Sequence, residues 1–382
     1  MRRPDEPSSR LRTRLRDWYR RNRRDLPWRR TRDPYAIWVS EVMLQQTRVE
    51  VVIPYYRRFL ALFPDAASLA RASPEAVLAA WSGLGYYRRA RALRAGARAL
   101  VQEHGGRLPA QREELERLPG IGRYTAGAIA SIAFGRPEPA LDGNVRRVLC
   151  RLHAIDGRSG GTRLWELAAG WARSRDPAGT NQALMELGAL VCTPRTPRCG
   201  SCPLRAMCRA RIEGRPERYP APPRRRATES VTVAVAWISR AGRTLLERPA
   251  HGNPLRGTWD FPATEPGRDD PCTALAAHLR RRGLDVAVGE SLATLPHAIL
   301  HRRLRLDVFA CRLRRGRAAR SRNLRWVDPA SLDGTPVSGA TRKIASALAG
   351  GGPDAERGPR AGGAAGRAAR RRGPRHRRLH PA

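Results

Sequence analysis

Four of the chain's seven cysteines lie within seventeen residues, in VCTPRTPRCGSCPLRAMC, residues 191–208. Cys192, Cys199, Cys202 and Cys208 follow the spacing C-x6-C-x2-C-x5-C. Four thiolates on one short irregular loop can close around an iron–sulfur cluster. Zinc is the physical rival, but four-thiolate zinc sites favour paired C-x2-C knuckles, and this loop has a single such pair. The spacing therefore leans toward iron and sulfur. Cys150, Cys272 and Cys311 are scattered, as small core hydrophobes are. A second stretch, LPGIGRYTAG at residues 118–127, places two glycines around one apolar residue. Gly120 and Gly122 allow positive φ and close approach of another backbone. The amides that open the following helix would point outward, aided by its dipole, and suit a phosphate. A helix–hairpin–helix of this kind grips the DNA backbone without reading sequence. The plain alternative is an ordinary tight turn between helices.

The charge agrees with a polyanionic partner. Lys plus Arg number 73 against 34 Asp plus Glu, for a formal net charge of +39. Lys343 is the only lysine, so coding drift explains arginine over lysine but not the excess of bases over acids. Nucleic acid is the expected partner. No apolar run approaches the roughly 20 residues of a membrane span, and the N-terminus has no signal-peptide core. The expectation is a cytoplasmic, nucleoid-associated monomer with no membrane partner.

These groups need elements to hold them. Residues 1–213 read as mostly helical, with apolar residues at helical spacing in IWVSEVMLQQTRVEVVIPYYRRFLALF, PEAVLAAWSGLGYYRRARALRAGARAL and RLWELAAGWAR. Ser73-Pro74-Glu75 resembles a helix start. Residues 214–228, proline-rich and charged, read as a semi-rigid linker. Then VTVAVAWI, a turn at SRAGR, TLLER and LRLDVFACRL predict strands, while CTALAAHLRRRG and GATRKIASALAG predict helices. Residues 229–349 therefore form a smaller α+β domain. Residues 350–382, almost without large apolar side chains, read as a disordered basic tail.

The hairpin LPGIGRYTAGAIAS, then LDGNVRRVL, then the four-cysteine loop together resemble the endonuclease III superfamily of base-excision DNA glycosylases. EVMLQQTRV and WSGLGYYRRAR lie where that family has helical motifs, and the likeness runs from about residue 15 to 210. The C-terminal domain resembles the Nudix-like module of adenine DNA glycosylases of the MutY type, which remove adenine mispaired with 8-oxoguanine. The resemblance implies a mainly α helix–hairpin–helix domain, a helical barrel beside a [4Fe-4S] subdomain, with the site in the cleft between. It also implies double-stranded DNA with adenine opposite 8-oxoguanine or guanine as the partner.

Breaking an N-glycosidic bond needs a proton for the departing purine and an anion for the cationic sugar. Two carboxyls in different surroundings can supply both. The resemblance selects Glu41 and Asp142. Glu41 lies in an otherwise apolar helical stretch, where burial would raise its pKa and keep it a general acid. Asp142 stands beside Gly143 and Asn144, where polar groups can keep it ionised, although a helix N-cap would use the same residue. Gln46 and Tyr86 match positions that fill the gap left by a flipped base; of Tyr86 and Tyr87, one is expected only to pack. Trp28, Arg29 and Glu186 match the adenine pocket. In lyase members of the superfamily a lysine stands where this chain has Tyr124. A phenol cannot form an imine, so no lyase step is expected. In the second domain Ala277, Arg280 and Arg281 replace the acidic residues of a working Nudix helix, so nucleotide hydrolysis is not expected. Of the loop that reads 8-oxoguanine, the resemblance leaves Ile299, Leu300 and His301, with His301 the candidate contact.

Overall fold

The computed structural model describes residues 6–157, 161–221, 227–248, 257–299, 301–315, 323–330, 332 and 334–349. Leu300, residues 222–226 of the stretch read as a linker and the basic tail lie outside the described residues.

Helices α1 (Ser9–Asn22), α2 (Pro34–Leu44), α3 (Val49–Leu62), α4 (Ala66–Arg71), α5 (Pro74–Trp81), α6 (Arg88–His104), α7 (Arg112–Arg117), α8 (Arg123–Ile132), α9 (Gly143–His153), α10 (Gly161–Ala172), α11 (Pro177–Leu190) and α12 (Arg209–Ile212) make the first half. Local chemistry starts several of them. Asp33 accepts from the Tyr35 and Ala36 amides ahead of α2, Ser73 caps α5 and Asp176 caps α11, each followed by proline at the first helical position. Two hydrophobic cores form. One gathers around α2, whose residues from Tyr35 to Met43 are all buried, as a helix apolar on every side requires. The other joins α1, α9, α10 and α11 to the cysteine loop through Leu15, Trp171, Leu184 and Cys208.

The second half is a sheet with helices on both faces. Strands β1 (Glu229–Arg240), β2 (Arg243–Glu247), β3 (Ala263–Thr264), β4 (Asp285–Ile299), β5 (Arg302–Arg315) and β6 (Leu324–Val327) pair in the order β4-β5-β1-β2-β6, with β3 on β1. β1 and β5 run parallel, and the other pairs are antiparallel. β1 is buried on both sides. Ala234, Ala236 and Ile238 face helix α13 (Pro271–Arg281) through Leu275 and Leu279, while Val235 faces the core that includes Ile344 of α14 (Gly339–Ala349). The strands and helices expected here are present. The long strand β4 was not expected, because its run of small and polar residues and Pro296 hides the alternation.

The halves touch at the turn between α5 and α6. Ser82 Oγ donates to the Val337 carbonyl at 3.0 Å, Tyr87 OH donates to the same oxygen at 2.6 Å, and Arg342 Nη2 donates to Ser82 Oγ at 3.1 Å. The start of the stretch read as a linker is anchored too: Arg151 Nε donates to Pro216 O and Tyr219 O, and the Ala221 amide to Asp156 O. No helix among the described residues is long and apolar enough to cross a membrane.

Candidate active site and DNA-facing hairpin

Where the two helical cores meet, a cavity of about 630 Å³ opens. Trp28, Arg29, Glu41, Gln46, Tyr124, Asp142, Asn144 and Glu186 all line it. They arrive from η-turn Pro27–Arg29, from α2 and the turn after it, and from α8, α9 and α11. Residues more than a hundred positions apart are thus brought to one space.

Glu41 is 6% exposed within the buried helix α2. Tyr124 OH donates to its Oε2 at 2.5 Å. Burial pushes the Glu41 carboxyl up to about 7, with the Asp142 charge adding to the rise and the Tyr124 hydrogen bond opposing it. The acid is thus poised to hold or give a proton near neutrality. Burial and the two nearby carboxylates raise the Tyr124 phenol far above its ordinary value, so it stays a neutral donor.

Asp142 both caps a helix and faces the cavity. Its Oδ1 accepts the Val145 amide at 2.7 Å and so caps α9, while Oδ2 accepts Asn144 Nδ2 at 2.9 Å on the cavity wall. The donors expected to favour the ionised form are present, but burial outweighs them and the carboxyl titrates above the ordinary aspartate value. Arg147 Nη2 donates to Asn144 Oδ1 at 2.8 Å and to Gly188 O at 2.7 Å, and its Nε to Cys192 O at 2.7 Å. The carboxylate is thereby chained through Asn144 and Arg147 to the cysteine loop.

Glu186 is buried and saturated. Oε1 accepts from the Arg24 amide at 2.8 Å and Arg29 Nη1 at 2.9 Å, and Oε2 from Arg24 Nη2 at 2.8 Å and Arg29 Nη2 at 2.7 Å. Burial alone would raise its pKa, but the two guanidinium groups prevail and hold the carboxyl at about 2. Its place here is to orient Arg29. Trp28 is buried beside it, edge-on to Tyr56 at 5.4 Å.

The remaining expected residues lie outside this cavity. Tyr86 is 39% exposed and Tyr87 is 2% exposed, so Tyr87 is the packing member of the pair. Gln46 and Tyr86 both carry positive φ, 58° and 49°; a non-glycine residue there signals a constrained turn. In the hairpin, Gly120 has φ 82° and a Cβ there would lie 2.7 Å from Ala92 Cβ. Gly122 departs from expectation. It has φ −93° as the N-cap of α8, and a Cβ there would meet nothing within 4 Å. Its open side is room for a partner beyond the protein, next to the exposed amides of the helix start. His301 sits exposed at the turn between β4 and β5, its carbonyl already taken by the Glu229 amide at 3.1 Å.

Residues 39–172 match the model of the HhH-GPD superfamily of base excision DNA repair proteins, and residues 192–208 the iron-sulfur binding domain of endonuclease III. Residues 233–347 match the NUDIX domain. Adenine DNA glycosylase of Mus musculus is 37% identical over 396 residues, covering 87% of this chain and 77% of the mouse protein. The human adenine DNA glycosylase is 36% identical over 86% of this chain and 72% of its own length. The chain belongs to the adenine DNA glycosylase family. The glycosylase is also 44% identical to the adenine DNA glycosylase of Mycolicibacterium smegmatis over 205 residues, 53% of this chain and 70% of that one. A solved thermostable thymine-DNA glycosylase superposes with a TM-score of 0.50 at 29% identity, over 53% of this chain and 95% of that one.

The four clustered cysteines of the glycosylase are free thiols that line one small cavity of about 20 Å³. Among the described residues no three metal-ligating side chains converge on a single ion. Four thiols lining one space are the donor set that an iron–sulfur cluster takes. Arg151 Nη1 donates to Cys192 Sγ at 3.3 Å and to Thr193 O at 2.7 Å, and Cys208 Sγ donates to Arg151 O at 3.4 Å. In the NUDIX domain, Leu275 and Leu279 of α13 are buried against the sheet, and Arg280 and Arg281 are exposed.

Sequence reasoning missed Arg24, Arg89, Arg147 and Arg151. In a chain this rich in arginine nothing marks the few that are buried or half-buried in polar contacts.

Proposed function

We propose that the glycosylase excises adenine paired with 8-oxoguanine or guanine in duplex DNA and stops at the abasic site. What carries this reading is that Glu41 and Asp142 face one cavity, with the Tyr124 hydroxyl on Glu41 where a lyase would need an amine. Arg29, set by Glu186, and Trp28 line the pocket for the extruded adenine. The Glu41 carboxyl gives its proton to an adenine ring nitrogen, and the C1′–N9 bond breaks with its electron pair leaving on the base. Asp142 as carboxylate balances the positive sugar, its orientation kept by the Val145 amide and Asn144. A water then adds to C1′ and loses its proton to the Glu41 carboxylate, which restores the acid. Tyr124 donates to Glu41 and has no amine with which to trap the sugar, so the strand is not cut.

Base extrusion falls to Gln46 and Tyr86, and backbone grip to the amides after Gly120 and Gly122. Residues 1–213 do the chemistry, and residues 229–349, with His301 at the exposed β4–β5 turn, inspect the opposite base. Cys192, Cys199, Cys202 and Cys208 would hold a [4Fe-4S] cluster, which when bound supplies covalent cross-links that fix the loop and its arginines. The protein acts as a monomer on the nucleoid. Duplexes with adenine opposite 8-oxoguanine, guanine, cytosine or thymine test the reading. Excision confined to the first two is expected, and equal excision from all four would overturn it.

A further inference from the structure

Arg89, in the first turn of α6, is 6% exposed and has no carboxylate among its described partners. Its Nη1 donates to the carbonyls of Val42, Met43 and Gln45, at 3.0, 2.8 and 2.5 Å. Its Nη2 donates to Thr47 Oγ1 at 3.0 Å and to the carbonyls of Leu84 and Gly85, at 3.3 and 3.2 Å. The partners are thus the end of α2 with the turn after it, and the turn before α6. A buried cation satisfied by carbonyls and one hydroxyl, with no carboxylate, is costly to place, so its burial calls for a return elsewhere.

The two turns it joins have one feature in common. Gln45 directly precedes Gln46, and Gly85 directly precedes Tyr86, and both following residues are held at positive φ. The guanidinium also lies 5.4 Å from the Tyr86 ring centroid and 5.4 Å from that of Trp81. One planar group with fixed donors therefore sets the spacing and the backbone conformation of both turns at once.

We infer that Arg89 is a positioning residue that holds Gln46 and Tyr86 as a single rigid double wedge for opening the duplex. This rests on the reading of those two side chains as wedges. Arg89 touches neither the base nor the reacting carboxyls. Its contribution is to base extrusion and not to bond breaking. A lysine keeps the charge but offers a compact ammonium in place of a fork, and cannot span both turns.

The test separates extrusion from chemistry. Arg89→Lys, Gln46→Ala and Tyr86→Ala are compared with the wild-type holoprotein in two single-turnover assays. One uses adenine opposite 8-oxoguanine, with 2-aminopurine beside it to report unstacking. The other uses adenine opposite an abasic-site analogue, where the helix is already open. Arg89→Lys is expected to slow unstacking and excision in the paired duplex by roughly tenfold or more, a loss of the size that small misplacements produce. On the open duplex it should stay within about threefold of wild type, since the chemistry there needs no wedge. Equal losses on both substrates would make Arg89 merely structural and overturn the inference. Unchanged unstacking in Arg89→Lys, with slowed unstacking in Gln46→Ala and Tyr86→Ala, would overturn it too. If the two alanine variants unstack at the wild-type rate, the wedge reading itself fails. Should Arg89→Lys not fold, Thr47→Val removes two bonds on the Gln46 side alone, the one from Arg89 Nη2 and the one to the Gln45 carbonyl. It is then expected to slow unstacking by about threefold in the paired duplex while excision on the open duplex stays at the wild-type rate, and no slowing would overturn the inference.

Discussion

Replacing Glu41 by glutamine should make the protein more stable at neutral and alkaline pH while abolishing its activity. Glu41 is buried, and its carboxyl is raised from 4.5 to about 7 in the folded chain. Between those values the folded chain holds a proton that the unfolded chain has released. Stability therefore falls as pH rises from about 4.5 to about 7, and this contribution is flat above that. At about 1.36 kcal/mol per pH unit the full loss is roughly 3 kcal/mol, most of it between pH 5 and pH 8. A glutamine keeps an oxygen for the Tyr124 hydroxyl, fills the same space and cannot ionise. Denaturant unfolding of both proteins across that pH range, followed by helical circular dichroism, gives the difference directly. Effects of all other groups cancel in it. The wild type should lose about 2 to 3 kcal/mol relative to Glu41→Gln on going from pH 5 to pH 8, and the variant should bind its duplex but not excise. Parallel stability curves, or an active variant, would refute the reasoning.

Three further outcomes follow from the same geometry. Excision, measured as kcat/KM against pH, should fall through about pH 7 as Glu41 loses its proton, and Tyr124→Phe should move that limb to higher pH, since the phenol's hydrogen bond lowers the Glu41 pKa; an unmoved limb would detach Tyr124 from the acid. Gly120→Ala should cost about 2 kcal/mol by thermal unfolding, because φ is 82° and the added methyl meets Ala92, whereas Gly122→Ala should leave stability unchanged and weaken duplex binding in gel shifts. Tyr87→Phe removes the bond to Val337 and should destabilise the contact between the halves by about 1 kcal/mol, seen as faster proteolysis between them with excision of unpaired adenine retained.

Much of the active site is legible from the chain because its groups sit in patterned stretches. Glu41 in an apolar helix, Asp142 before a helix start and the G-x-G hairpin each announce a local structure, and the structure supplies it. The hidden part is polar and long-range. Arg24, Arg147 and Arg151 reach carboxylates and carbonyls tens to more than a hundred residues away, and no local pattern encodes such pairings. Gly122 shows a related limit: sequence says that a turn needs glycine but not which of two glycines takes the left-handed conformation. The register of β4 against β5, with shifts near Asp285, Val288 and Ser291, was equally invisible, since β4 is mostly exposed or half-buried and carries no clear apolar alternation.

On the proposed function, a carboxylic acid paired with a phenol ends catalysis at hydrolysis. The most direct measurement is single-turnover reaction of the purified holoprotein with a labelled duplex carrying adenine opposite 8-oxoguanine, analysed with and without alkali and with borohydride present. Strand breaks should appear only after alkali, with no trapped protein–DNA adduct. Breaks without alkali, together with a borohydride-trapped adduct, would contradict it.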